Sequence, residues 1–468
     1  MTLSIDEMAS FCKKKGFVYP NSEIYGGMAG FFDFGPLGSE LKKNLKDAWW
    51  KYHVQSREDI VGIDGSIITH PKVWKASGHV DCFTDVYVVC KKCKKENKLD
   101  KSEVGKVKCE CGGDYAVEGD FNLMFKTAVG PGKGVESYLR PETAQLMFVD
   151  FKLVAENARM KLPFGIAQIG RAFRNEISPR NFIFRDREFE QMEIEYFIHP
   201  DSINDCPFVK EVEDVKINVY SAEMQEKNEK MEPMKLKDAL GKNIIKSPWH
   251  AYWLGTELRF FLELGCNGTN FRIRQHEKDE KAHYSTDCWD LEYKFPFGWK
   301  ELQGIADRGQ FDLKNHIEQS GKDLSLYDEE KKEKVIPAVV AEPSLGVERS
   351  FLVLMYEAYE DDKKRGNIVL HFNNKLAPTK VMIFPLVNKL KEEAREVFEE
   401  LRNEFICKFD SSGSIGRRYA RADEEGTPFC VTVDFEEDGC VTVRDRDSTE
   451  QERVKIDELK NYLQQKLL

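Results

Sequence analysis

Leu37, Leu41, Leu45 and Trp49 recur four apart in LGSELKKNLKDAWWKYHV, a spacing that predicts a helix with one buried stripe. DIVGIDGSIITHPKVWKASGH follows, rich in β-branched residues until Pro71, whose missing N–H cannot join a ladder. It reads as a strand and then a loop. Two apolar runs, Phe164 to Phe173 and Arg187 to Phe197, flank a polar loop with Pro179 and Asn181 and should pair as a hairpin. From Asp201 to about Lys246 the pattern is charged and mostly helical, with Val212, Val215 and Val219 as a thin apolar seam. A peripheral helical insertion is expected there, at about 201–246. Leu291 to Phe295 and Val335 to Ser344 read as strands, and Phe351, Leu352 and Met355 as the buried face of a helix after them.

The charged run EDDKKRGN, Glu360 to Asn367, and Pro378 suit an exposed connection and divide the chain into residues 1–375 and 376–468. Beyond it VMIFPLV reads as a strand and KEEAREVFEELRNEF as a helix. FCVTVDF and CVTVRDR read as two strands around the turn EEDG, and DELKNYLQQKL as a last helix. A small mixed sheet covered by helices suits a binding module. The chain as a whole is expected in the α+β class.

With 41% hydrophobic and 32% charged residues the composition is that of a globular protein, and no apolar run approaches the ~20 residues of a membrane span. No membrane partner is expected. MTLSIDEMASFCKKKGF places acidic residues early and lacks the basic start and apolar stretch of a secretory signal, so the expected location is cytoplasmic. A net charge of −11 argues against coating nucleic acid by bulk charge, although a local basic face can still meet phosphates. The twelve cysteines are expected as reduced thiols. Four of them form two tight pairs, CKKC (Cys90 and Cys93) and CEC (Cys109 and Cys111), in a lysine-rich insertion at about 88–118. They resemble a zinc ribbon, with C-x-C where the second knuckle is usually C-x-x-C. Four thiolates suit tetrahedral structural zinc, and unliganded thiols are the alternative.

Arg174 and Glu176 are expected to share one face of the first hairpin strand, with Asn175 on the other. An arginine can fork onto phosphate oxygens, and a carboxylate can accept hydrogen from an adenine amino group. An isolated triplet of this kind is most often a surface ion pair. This one is accompanied by Arg185 and Arg187, by the rings of Phe184 and Phe189, and by Glu190 and Glu193 on the returning strand. The whole stretch FRNEISPRNFIFRDREFEQME resembles the ATP-binding hairpin of class II aminoacyl-tRNA synthetases. GVER, Gly346 to Arg349, opens a helix directly after a strand and resembles the G-x-x-R motif of that class. The helix and strand that end at Pro71 resemble the motif that forms its dimer interface. YGGMAGFFDFGPLG, PKVWKASGH, FNLMFKT, RPETAQ, LPFGIAQIGRAFRNE, EYKFPFGW, EPSLGVER and GTPFCVTVDF are similar to stretches of homodimeric glycyl-tRNA synthetases.

That resemblance implies a class II antiparallel sheet flanked by helices, with a C-terminal α/β anticodon-binding domain. It implies a ligase that forms glycyl-adenylate and pyrophosphate from glycine and ATP, then moves glycine to the 3′ end of tRNA(Gly), and that works as a homodimer. ATP contacts would fall to Arg174, Asn175, Glu176, Phe184, Arg185, Phe189, Glu301, Leu302, Gly346 and Arg349. Arg174 and Arg349 would be the catalytic cations, and Glu301 would hold Mg2+, a hard cation that needs carboxylate oxygen. Glycine would fall to Glu142, Phe189, Glu190, Gln191, Glu193, Glu342 and Ser344, since its site must hold the ammonium by carboxylates and leave no room for a methyl. The attacking carboxylate is already an anion, so the first step needs positioning and charge neutralisation rather than a base. Arg417, Arg418 and Arg421 stand at helical spacing as candidates to meet RNA phosphates. The competing reading is a synthetase-like accessory or regulatory chain without catalysis, which should have lost these ligands.

Overall fold

Pro36 supplies the fixed φ that suits the first position of a helix, and α1 (Pro36–Trp50) begins there. Its stripe of Leu37, Leu41, Leu45 and Trp49 is buried, as the four-residue spacing requires. The structure, a computed structural model, describes residues 3–99, 104–132, 134–278, 280, 287–329, 331–435 and 439–467. Gly38 shares the buried face because the chain at Phe17 crosses the helix there. A Cβ on Gly38 would stand 1.9 Å from the Phe17 carbonyl oxygen. Gly38→Ala is expected to cost about 1–3 kcal/mol in urea denaturation. A loss under about 0.5 kcal/mol, the size of a surface change, would contradict that close approach.

Among the described residues, nine strands form the main sheet. In chain order they are β1 (Ile60–Ile63), β2 (Phe164–Phe173), β3 (Glu188–Ile198), β4 (Lys216–Tyr220), β5 (Glu232–Lys235), β6 (Phe271–Gln275), β7 (Cys288–Phe295), β8 (Gly298–Ala306) and β9 (Ala338–Gly346). In space they run β5-β4-β6-β7-β8-β9-β3-β2-β1. The pairs β1/β2 and β4/β6 are parallel and the other neighbours antiparallel. The hairpin expected around Pro179 is the pair β2 and β3. Against β7, β8 and β9 lies α2 (Pro248–Glu263), which buries Trp249, Tyr252, Trp253, Leu258, Phe260 and Phe261 around most of its circumference. Such a helix belongs inside a core. Two more helices bear on the site, α3 (Phe311–Ser320) and α4 (Val347–Ala358), the latter packed on α1 and β3.

Residues 201–246 are not mainly helical: β4 and β5 lie in this segment and extend the main sheet at its edge. Ile217 and Val219 alternate into the core with period two, and the three-to-four spacing of Val212, Val215 and Val219 misled because two of those valines are buried from different elements. Pro71 opens a short helix, Pro71–Ala76, rather than a loop, because its missing N–H is one that a helix start leaves unused. The charged run at 360–367 is largely exposed, as expected of a connection. It forms a hairpin of strands Tyr359–Asp362 and Asn367–Leu370, held by Arg365, which donates to the Arg446 carbonyl (2.8 Å) and pairs with Asp423 (3.3 Å).

The cysteine insertion is a three-stranded sheet of Glu96–Leu99, Thr84–Cys90 and Tyr115–Asn122. The C-terminal sheet orders Cys407–Phe409, Val381–Pro385, Phe429–Val433, Cys440–Asp445 and Gln451–Lys455, the first three parallel, with helices Lys391–Leu401, Ile415–Glu425 and Ile456–Leu467 around it. Most of the turn expected at EEDG lies outside the described residues. Among those described, no helix is long and apolar enough to cross a membrane.

Candidate active site

Strand alternation builds the site. Phe189, Gln191 and Glu193 of β3 point to one side, and the register sets Glu193 opposite Ser344 and Gln191 opposite Gly346 of β9. On the next strand, Ala306 stands opposite Glu342 and Gly304 opposite Ser344. These residues line a cavity of about 630 Å³ that Arg174, Glu176, Phe184, Arg185, Glu301, Leu302 and Arg349 also line.

At one end sit the arginines. β2 stops at Phe173, so Arg174, Asn175 and Glu176 lie in the loop beyond it and not on a strand face as expected. Arg174 is nevertheless aimed inward: its Nε donates to the Pro141 carbonyl (3.0 Å), and its guanidinium stands 5.3 Å from the Phe189 ring centre. Asn175 does not line the cavity, and its backbone N–H donates to Leu123. The Glu176 carboxylate is already taken by Arg185, whose Nη2 lies 2.7 Å away. Arg349, in the first turn of α4, stacks 4.6 Å from the Phe184 ring centre, donates to the Glu301 carbonyl (3.0 Å) and pairs with the Glu301 carboxylate (3.2 Å). That guanidinium holds the Glu301 carboxyl below its usual range.

At the other end three carboxylates converge, from positions 142, 193 and 342. Burial alone would raise Glu142, but His79 (3.3 Å), Arg308 and the Gln145 amide (3.0 Å) hold it below the ordinary range. Glu193 accepts from the Thr143 N–H (3.2 Å) and hydroxyl, while burial and the Glu142 charge raise it. Burial pushes Glu342 up to about 8 although Arg308 Nη1 lies 2.7 Å from it. Ser344 accepts from the Gln191 amide at 3.0 Å.

Glu190 does not join them. One residue before Gln191, it faces the other side of the sheet, where Lys42 (2.7 Å) and Lys46 (3.1 Å) pair with it. Arg418 is also misplaced by the sequence reading: it is 3% exposed and donates to the Gly413 and Pro385 carbonyls, so it cannot meet RNA. Arg417 is exposed, and Arg421 pairs with Asp410. Sequence reasoning missed Arg308 and His79, which hold the carboxylates. Its signal was an arginine four residues before Asp312 at the start of α3. It missed Asp186 too, which is buried in the wall of the cavity and raised by burial. A second dyad, His276 and Asp290 (2.8 Å), lines the cavity beyond Glu301. Burial raises Asp290 to about 6, and the Asp290 hydrogen bond raises His276 against its own burial.

In the small sheet, Cys90 and Cys111 Sγ are 3.5 Å apart and Cys93 and Cys109 Sγ 3.6 Å, with all four sulfurs within 4.8 Å of one another. A Cβ on Gly113 would stand 2.8 Å from Cys90 Sγ, so the chain closes tightly on the cluster.

A family model described as the tRNA synthetase class II core domain (G, H, P, S and T) matches residues 130–359, and one described as an anticodon binding domain matches residues 380–466. The chain is 43% identical to the glycine--tRNA ligase of Acetivibrio thermocellus over 99% of its own length and 98% of that protein's. The ligase of Geobacillus thermodenitrificans gives 43% over 100% and 98%. The chain belongs to the glycine--tRNA ligase family. Its fold is also that of the crystal structure of a prolyl-tRNA synthetase from Cryptosporidium parvum, with a TM-score of 0.58 at 15% identity, covering 99% of this chain and 78% of that one. Arginines in a cavity can neutralise phosphate charge, and carboxylates in the same cavity can hold an ammonium.

Proposed function

We propose that this chain charges tRNA(Gly): it joins glycine to ATP as glycyl-adenylate with release of pyrophosphate, then passes glycine to the terminal ribose of the tRNA. The observation that carries this reading is one cavity lined both by Arg174 and Arg349 and by Glu142, Glu193 and Glu342. The carboxylates hold the ammonium, which leaves the glycine carboxylate free to attack the α-phosphorus in line. The oxygen–phosphorus bond to pyrophosphate breaks as the new one forms, and the arginines neutralise the charge that gathers on the phosphates. In the second step the ribose hydroxyl attacks the glycyl carbonyl and AMP leaves. Glu301, beside Arg349 in the cavity wall, would take a metal ion with the nucleotide. Mg2+ held there would neutralise phosphate charge.

Residues 1–375 serve as the catalytic unit and 376–468 as the anticodon-binding unit, with α1 at the interface of a homodimer and the protein in the cytoplasm. The four cysteines hold one structural zinc, since their sulfurs already converge. Metal analysis of purified protein is expected to find one zinc per chain, and Cys93→Ser to abolish it. Metal-free wild-type protein would refute the zinc site.

The test of the activity is pyrophosphate exchange with glycine, alanine and serine side by side. Exchange with glycine alone is expected. Equal exchange with alanine would refute the amino-acid assignment, and no exchange with any of them would favour the non-catalytic reading.

A further inference from the structure

Glu195 follows Glu193 on the same face of β3, one step deeper beneath the carboxylate end of the cavity. It is fully buried, and among the described residues neither of its carboxyl oxygens has a hydrogen-bond partner. Carboxyl oxygens of Glu193, Glu195 and Glu342 lie within 4.8 Å of one another. The charged groups that face it are Glu193 from its own strand, Glu342 from β9, and Arg308 with Asp312 at the start of α3. Arg308 donates to Asp312 and Glu342.

An ionised carboxylate with no donor, beside two others, has nothing to replace the water it lost. A protonated carboxyl has an O–H to turn towards a neighbour, and the carboxyl oxygens of Glu193 and Glu342, within 4.8 Å, are the acceptors it faces. We propose that Glu195 is a positioning residue for the amino-acid ammonium: an un-ionised acid beneath the Glu193 and Glu342 pair that gives its one O–H to one or the other of them while adding no charge of its own. Burial first, and the charge of Glu342 second, push its carboxyl well above the usual range, in keeping with that state. The inference rests on the reading of this pocket as the glycine site. Glu195 touches no substrate and acts through its two neighbours.

Glutamine keeps the shape and the donor without the ability to ionise, so Glu195→Gln should keep the KM for glycine within threefold of wild type in pyrophosphate exchange. Glu195→Ala removes the donor and should raise the KM for glycine tenfold or more while the KM for ATP stays within twofold. That split, with rescue by glutamine, is not what general loosening of the fold would give. A tenfold rise in Glu195→Gln would overturn the proposal, because it would make the ionised form the active one. An unchanged glycine KM in folded Glu195→Ala would overturn it as well. If Glu195→Ala does not fold, the glutamine variant decides alone by the same limits. Wild-type protein without glycine-dependent exchange would instead refute the reading of the pocket.

Discussion

Arg349→Ala is expected to lower glycine-dependent pyrophosphate exchange by about 10²-fold or more, the loss seen when one preorganised donor is removed from a developing charge. The reason lies in how the side chain is held. Stacking on Phe184 and the bond to the Glu301 carbonyl fix the guanidinium before substrate arrives, so no reorganisation is needed when phosphate charge develops. Lysine offers a point charge without the planar fork and cannot keep the stack, so Arg349→Lys should recover only a small part of the loss. Stability should hardly change in either variant, because the Arg349 pair with Glu301 is partly exposed and such pairs contribute little. A fall in exchange with unchanged thermal unfolding is therefore the expected pattern. Near-normal exchange by Arg349→Ala would refute the assignment of this end of the cavity to ATP.

How much of this could be read from the sequence depended on the period of each segment. The stripe on α1 and the β2–β3 hairpin were legible because their apolar residues repeat at one spacing over many residues. Glu190 was misplaced although its strand was right. A motif names residues, whereas the two-residue alternation decides which side of the sheet each one faces, and Glu190 falls on the side of Lys42 and Lys46. The 201–246 segment was misread because short strands added at a sheet edge carry few apolar positions, and three valines at chance spacing imitate a helix. The site itself was half legible. Glu142 and Glu342 came from motifs, but that Arg308 would lie between them, far from both along the chain, is a property of the sheet register and of where α3 begins. Asp186 and Glu195 carry no sequence signal at all, since burial without a partner exists only in the folded chain.

Removing the cation that this arrangement encloses should have the largest effect on stability. The Arg308 side chain is 1% exposed. Its Nε and Nη2 donate to Asp312 at 2.7 and 2.9 Å, and its Nη1 to Glu342 at 2.7 Å. Arg308→Leu would fill much of the volume but leave two carboxylates buried without a counter-charge, which costs about 3–5 kcal/mol. The pH dependence follows from the same geometry. Burial already holds Glu342 up to about 8 with the guanidinium in place, and without it the carboxyl must rise further. A carboxyl whose folded pKa lies above its unfolded value holds a proton that the unfolded chain has lost, so stability falls as pH rises above the unfolded value of about 4.3. Both proteins lose stability in parallel until wild-type Glu342 begins to ionise, so the deficit of Arg308→Leu should widen between about pH 7 and pH 9, read from denaturant unfolding at each pH. A deficit that stays constant or narrows over that range would show that the carboxylates find another partner when the arginine is gone. Arg308→Lys keeps the charge but cannot bridge Asp312 and Glu342 together, so it should fall between the two, nearer to leucine in glycine binding and nearer to wild type in stability.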